Sequence, residues 1–310
     1  MNIFVCLSLK DDQLERFHAS VECHELHYFP DAETNPKAKS VFDNCQVVFG
    51  NPPAKWISEN ATLRWIQLES VGFGEYTGLD WHTLGKRLKL SNLAGFFSDP
   101  VAESILAGVL SHYRGIGRLS TLQTQHVWAG EALRPNLKTL RGANAVLFGK
   151  GDINRRLVEL LAPFGCTITS FGRGWVASDL RNALAKADIV ICAVPDNLST
   201  RGVFDHDLIG TIKQGGMFVN FGRGSLVDEN ALAAAVETGR LSGAVIDVTK
   251  EEPLPQDHRF WKCTNILLTQ HTGGGTGDEI DRKIDYFLAN LKLYLSNKPP
   301  QSVVDFTKAK

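Results

Sequence analysis

From residue 144 onward the chain carries six short apolar runs, AVLFG, TITSF, DIVICAV, MFVNF, GAVIDV and NILLT, separated by segments long enough for a helix. Continuous apolar runs of this length suit strands covered on both faces, and parallel strands joined by helical crossovers provide that cover. Six in succession predict a doubly wound parallel sheet. The first run leads straight into a motif: in NAVLFGKGDIN, Asn144 to Asn154, a strand ends in a glycine turn and a helix begins. Glycine lets backbone approach a pyrophosphate closely, and a helix N-terminus offers unpaired N–H donors and partial positive charge. Gly149, Lys150, Gly151, Asp152 and Ile153 are therefore candidate cofactor-binding residues. Asn154 replaces the third glycine of the dinucleotide fingerprint, which predicts looser or differently arranged packing of helix on strand.

Residues 1 to about 95 hold a second set of runs, NIFVCLSL, ELHYF, QVVFGNP, RWIQLES and KLSNLAG. They predict another parallel sheet without a glycine fingerprint. In LESVGFG, a strand ends in a glycine-rich turn whose amides at Val71 and Gly72 either hold a small anion or form a plain turn. Asp99-Pro100 reads as an N-cap followed by proline in the first helical position, opening a long helix through VAESILAGVLSHYRGIGRL. Residues 120 to 143 lack sustained periodicity, and Trp128 within them is either an anchor for a partner subunit or packed in its own chain. The final helix, Asp278 to Leu295, could return to the first domain. The expected division is thus a discontinuous substrate domain, 1–98 plus 278–310, and a dinucleotide-binding domain, 99–277.

Composition narrows the classes. With 310 residues and 43% hydrophobic content, two cores are expected rather than one. The 33 basic and 34 acidic residues are interspersed and give no field that would recruit nucleic acid. Six cysteines without a C-x-x-C pair read as reduced core residues, neither a disulfide frame nor a metal site. The N-terminal apolar run is too short for a secretory signal and no segment reaches membrane-spanning length, so a cytoplasmic protein with no membrane partner is expected.

Three polar residues stand out downstream: Arg223 in NFGRGSLVDENAL, Glu252 in GAVIDVTKEEPLP and His271 in LLTQHTGGGT. With VAE at Val101 to Glu103, the GKG turn and AVPDNLSTRG, these motifs resemble, in order, those of the D-isomer-specific 2-hydroxyacid dehydrogenases. The resemblance implies a Rossmann dinucleotide-binding domain and a flavodoxin-like substrate domain, both α/β doubly wound parallel sheets, with a cleft that closes on substrate. It implies that His271 transfers a proton, that Glu252 is its acidic partner and that Arg223 binds the substrate carboxylate. Amides at Val71 and Gly72 would share that carboxylate. Asp247 would meet the nicotinamide carboxamide, with Pro195, Thr200 and Gly273 along the cofactor. The residue types suit the chemistry: histidine can hold a proton near neutral pH, a carboxylate beside it favours the imidazolium, and arginine grips a carboxylate with two parallel N–H bonds. Gln270 departs from the proline common before the histidine, and TGGGT from a more usual alanine-containing stretch; extra glycine is expected to loosen the loop.

The strand TITSF is followed by Gly172 and Arg173 where the family often has Asp or Glu. Without that carboxylate a 2′-phosphate is not repelled, and the arginine can bind it. NADPH is expected over NADH, with NAD use possible. The resemblance is nearest in character to the NADPH-using glyoxylate and hydroxypyruvate reductases. A small 2-oxo acid, reduced to the D-2-hydroxy acid, is the expected substrate, with Asn51, Pro52, Phe73 and Tyr76 shaping its pocket. A phosphoglycerate dehydrogenase-like enzyme and a nucleotide-sensing corepressor-like protein are the alternatives. A homodimer is expected through the loop near Trp128.

Overall fold

Five N-terminal runs become strands: β1 (Asn2–Val5), β2 (Glu25–Tyr28), β3 (Val47–Phe49), β4 (Trp65–Gln67) and β5 (Lys89–Ser91). Every residue of β3 and β4 is buried, so alternate side chains must be covered on opposite faces. All pairings are parallel, in the order β2-β1-β3-β4-β5. The helices α1 (Asp11–Ser20), α2 (Ala38–Phe42), α3 (Ala54–Glu59) and α4 (Trp81–Leu84) connect them. These observations come from a computed structural model that describes residues 1–307.

The chain divides into two compact units, Met1–Phe96 with the stretch from Thr276, and Phe97–Gly275. The second opens with α5 (Ser98–Tyr113), which starts one residue before the expected cap; Phe97 takes the cap position and Pro100 falls within the first turn. Gly115 at φ +65° then breaks what the sequence presents as one helix, and α6 (Ile116–Thr124) follows. Only one further short helix, α7 (Gly130–Leu133), and a single 3₁₀ turn interrupt the segment before residue 144.

The six downstream runs become β6 (Asn144–Phe148), β7 (Thr167–Phe171), β8 (Ile189–Cys192), β9 (Gly216–Asn220), β10 (Leu241–Ile246) and β11 (Ile266–Leu268). They form one parallel sheet ordered β11-β10-β9-β8-β6-β7. Between its strands run α8 (Asp152–Leu161), α9 (Ala177–Leu184), α10 (His206–Thr211) and α11 (Glu229–Glu237). One face buries Leu180, Phe204, Phe218 and Leu232, the other Ile105, Leu147, Leu157 and Val219. Small residues allow close approach: a Cβ at Gly108 of α5 would stand 2.8 Å from Val245 of β10.

The last helix, α12 (Glu279–Leu295), packs within the first unit. Phe287 is its centre, stacked on Phe49 at 4.5 Å and Trp65 at 5.2 Å, with Phe17 edge-on at 5.4 Å. All six cysteines are free; Cys45, Cys192 and Cys263 are buried as expected, whereas Cys23 is exposed.

Candidate active site

The sheet order of the second unit decides where its functional groups gather. Strand β6 has β7 on one side and β8 on the other, so the connections from it leave in opposite directions and open a crevice at the carboxyl ends. The glycine turn follows β6, Arg173 follows β7, Pro195 and Thr200 follow β8, Arg223 follows β9, Asp247 and Glu252 follow β10, and His271 and Gly273 follow β11. All lie in loops at one edge of one sheet. Val71 and Gly72 follow β4 in the other unit.

His271 Nδ1 and Glu252 Oε2 are 2.6 Å apart. The other carboxylate oxygen, Oε1, accepts from Thr249 N at 2.9 Å. Burial works to raise the pKa of Glu252, but its hydrogen bonds to His271 and Thr249 and the nearby charge of Arg223 outweigh burial and hold it below its ordinary value. The carboxylate is therefore ionised, and the imidazole edge bearing Nδ1 is committed to it. Nε2, on the other edge, lies outside that pairing. Beside the pair lies a cavity of about 420 Å³ walled by Pro253, Leu254, Trp261 and Leu268 as well as by Glu252 and His271.

The loop that carries His271 is unusual backbone. Gln270 and His271 sit at φ +54° and +57°, a left-handed pair without glycine. Such conformations persist where surrounding bonds over-determine them. Here Asp247 does so: its backbone oxygen accepts from His271 N at 2.7 Å, and its Oδ1 accepts from Thr269 Oγ1 at 2.6 Å and from the N–H groups of Thr272 and Gly273 at 3.1 Å. One of the glycines after His271 is there for closeness. A Cβ at Gly273 would stand 2.6 Å from the Phe221 ring and 3.0 Å from Asp247 Oδ2, so glycine is required by closeness.

Arg223 is held by residues that sequence reading overlooked. Asn220, fully buried at the end of β9, donates to Arg223 O at 3.0 Å and accepts from Gly222 N at 3.0 Å. A Cβ on Gly224 would stand 2.0 Å from the Thr249 carbonyl carbon, so the Arg223 turn rests directly on the loop that leads from β10 to Glu252. The signal was present in principle, since a buried polar residue between two glycine-flanked turns must satisfy its amide locally.

In the first unit, the loop after β4 has its carbonyls occupied from within. Ser70 O accepts from Leu93 N, Val71 O from Asn92 Nδ2 at 2.8 Å and Gly72 O from Ser70 Oγ at 2.7 Å. Among the described residues nothing accepts from the Val71 or Gly72 N–H groups. Tyr76, expected to shape a substrate pocket, is instead fully buried and donates to Pro52 O at 3.0 Å.

The groups around the glycine turn fit a dinucleotide. Gly149 adopts φ +125°, no side chain caps α8, and a Cβ at Gly151 would meet nothing within 4 Å. Thr200 closes its own loop, donating to Pro195 O at 2.8 Å and accepting from Asn197 N at 3.1 Å. A Cβ at Gly172 would stand 2.9 Å from Lys150 Cδ, so the stem of Lys150 lies where an acidic side chain would begin.

The family model described as D-isomer specific 2-hydroxyacid dehydrogenase, NAD binding domain, matches residues 106–273, more than half of the chain. The chain belongs to this family. The dehydrogenase is 25% identical to glyoxylate/hydroxypyruvate reductase A HPR2 of Arabidopsis thaliana over 88% of this chain and 90% of the relative. It is 30% identical to D-3-phosphoglycerate dehydrogenase of Dictyostelium discoideum over 64% of this chain, a stretch that spans about half (51%) of that relative. Its fold matches a probable 2-hydroxyacid dehydrogenase from Rhizobium etli CFN 42, solved with NADP, HEPES and L(+)-tartaric acid. That match has a TM-score of 0.78 and 20% identity, and covers 100% of this chain and 99% of the other. The dehydrogenase is thus an oxidoreductase built from two parallel-sheet α/β domains. Among the described residues no helix is long and apolar enough to cross a membrane.

Proposed function

We propose that this dehydrogenase reduces a small 2-oxo acid, glyoxylate or hydroxypyruvate, to the D-2-hydroxy acid with NADPH. The observation that carries the chemistry is the 2.6 Å pairing of His271 Nδ1 with Glu252, which leaves Nε2 as the edge that carries the transferable proton when the ring is protonated. Arg223 holds the carboxylate of the substrate, and the amides of Val71 and Gly72 are offered to a small anion. His271 gives its Nε2 proton to the carbonyl oxygen as the carbon is reduced, and Glu252 stabilises the imidazolium beforehand. The bound dinucleotide supplies the hydride. Asp247 Oδ2, the oxygen of that carboxylate which the His271 loop does not use, meets the carboxamide of the cofactor.

Gly172, Lys150 and Arg173 support NADPH over NADH: glycine stands where a carboxylate would repel a 2′-phosphate, the stem of Lys150 lies against it, and Arg173 is the next residue. NAD is accepted more weakly. The breadth of the match to a reductase named for glyoxylate and hydroxypyruvate supports the substrate class. Initial rates with NADPH and NADH against a panel of 2-oxo acids test both parts. The expected outcome is turnover of glyoxylate or hydroxypyruvate with a higher kcat/KM for NADPH. A preference for NADH removes the cofactor assignment, and no turnover with any member of the panel removes the enzymatic one.

A further inference from the structure

Asn154 stands where the dinucleotide fingerprint has its third glycine, and its side chain is drawn inward. It is the third residue of α8 and only 2% exposed. Its Nδ2 donates to Gly149 O at 2.9 Å and reaches Phe148 O at 3.4 Å. Its Oδ1 is buried and accepts nothing among the described residues, so the donor half of the amide is the half in use. The reversed amide would set an oxygen against two carbonyl oxygens.

These bonds act on the turn itself. A Cβ on Gly149 would stand 2.5 Å from Ala193 O and 2.8 Å from Asn154 Nδ2, so the turn is gripped from the end of β8 on one side and from α8 on the other. Gly149 N donates to Phe171 O at 2.7 Å. Both peptide groups of Gly149 are therefore committed. In a trans peptide the carbonyl and the following N–H point in opposite directions. Fixing Gly149 O toward Asn154 turns the Lys150 N–H to the opposite side.

We propose that Asn154 is a positioning residue for the pyrophosphate: by holding the Gly149 carbonyl it presents the Lys150 N–H to the ligand. In place of a glycine packed closely against the strand, this chain uses a side-chain clamp. The proposal rests on the reading of this turn as the dinucleotide site. It also reverses a simple expectation, because restoring the fingerprint glycine should then weaken binding. A glycine at 154 would leave the buried Gly149 oxygen without its donor.

The test is isothermal titration of the intact chain and its Asn154→Gly variant with NADPH, with ADP, which carries a diphosphate, and with adenosine 2′-monophosphate, which does not. Loss of the clamp should raise Kd for NADPH and ADP about tenfold while leaving that for the monophosphate within about twofold. Asn154→Ser, too short to span to Gly149 O, carries the same expectation should the glycine variant fail to fold. Equal or tighter ADP binding by either variant overturns the proposal, as does equal weakening of both adenosine probes, which would mean a general structural role. If the native chain binds neither NADPH nor NADH, the reading of the turn fails and the clamp falls with it.

Discussion

His271 is bound at one ring nitrogen by Glu252 and at its backbone by Asp247, which fixes both where the ring sits and which edge it offers. His271→Ala should lower kcat by about 100-fold or more, the range for loss of a general acid, while NADPH still binds; near-normal turnover would remove His271 from the proton-transfer role. Glu252 adds a pH dependence whose sign follows from its depressed pKa. Such a group contributes stability above its unfolded value and loses it as pH falls through the lower folded value. The stability difference between the native chain and Glu252→Gln should therefore be full at neutral pH and shrink below about pH 4. Urea unfolding at a series of pH values reads this directly, and a pH-independent difference would contradict it. The pairing of His271 with Glu252 was legible because histidine and glutamate carry their chemistry in their type. Asn220 and Asn92 were not, because asparagine at a strand end reads as an ordinary turn until its partners across the chain are known.

Among the elements, the strands were the most readable. Runs apolar at every position can be satisfied only by burial on both faces, and all eleven strands overlap runs picked out by sequence, with β6, β9 and β10 beginning one or two residues before theirs. Helix limits were less so: one glycine at positive φ divides α5 from α6, and helical periodicity continues across it without a sign. Helix α12 shows how a distant element is recruited, since Phe287 inserts among Phe17, Phe49 and Trp65, more than two hundred residues away in sequence. Phe287→Ala should destabilise the first unit by about 3–5 kcal/mol, the usual cost of deleting a buried aromatic ring. A urea midpoint unchanged from the native protein would show that the helix is held by other contacts.

For the whole molecule, α6 and the segment after it lack cover. No residue of α6 is buried, Ile116 and Val127 are about half exposed, and Trp128 is 99% exposed. Packing of Trp128 within its own chain is thereby excluded, and we infer that a second copy covers it. Light scattering should give a dimer, with Trp128→Ala shifted toward monomer because large aromatic anchors dominate interfaces; a monomeric native protein would end this inference.

The contact of Gly224 with the backbone at Thr249 has a consequence for how such an enzyme can change. The Arg223 turn and the loop between β10 and Glu252 touch main chain to main chain, with no side chain between them to be exchanged. They form one jaw with no adjustable joint. Change in what the cavity beside His271 accepts is thereby pushed outward, to walls such as Leu254 and Trp261, where a new residue can reshape the chamber without disturbing the bite.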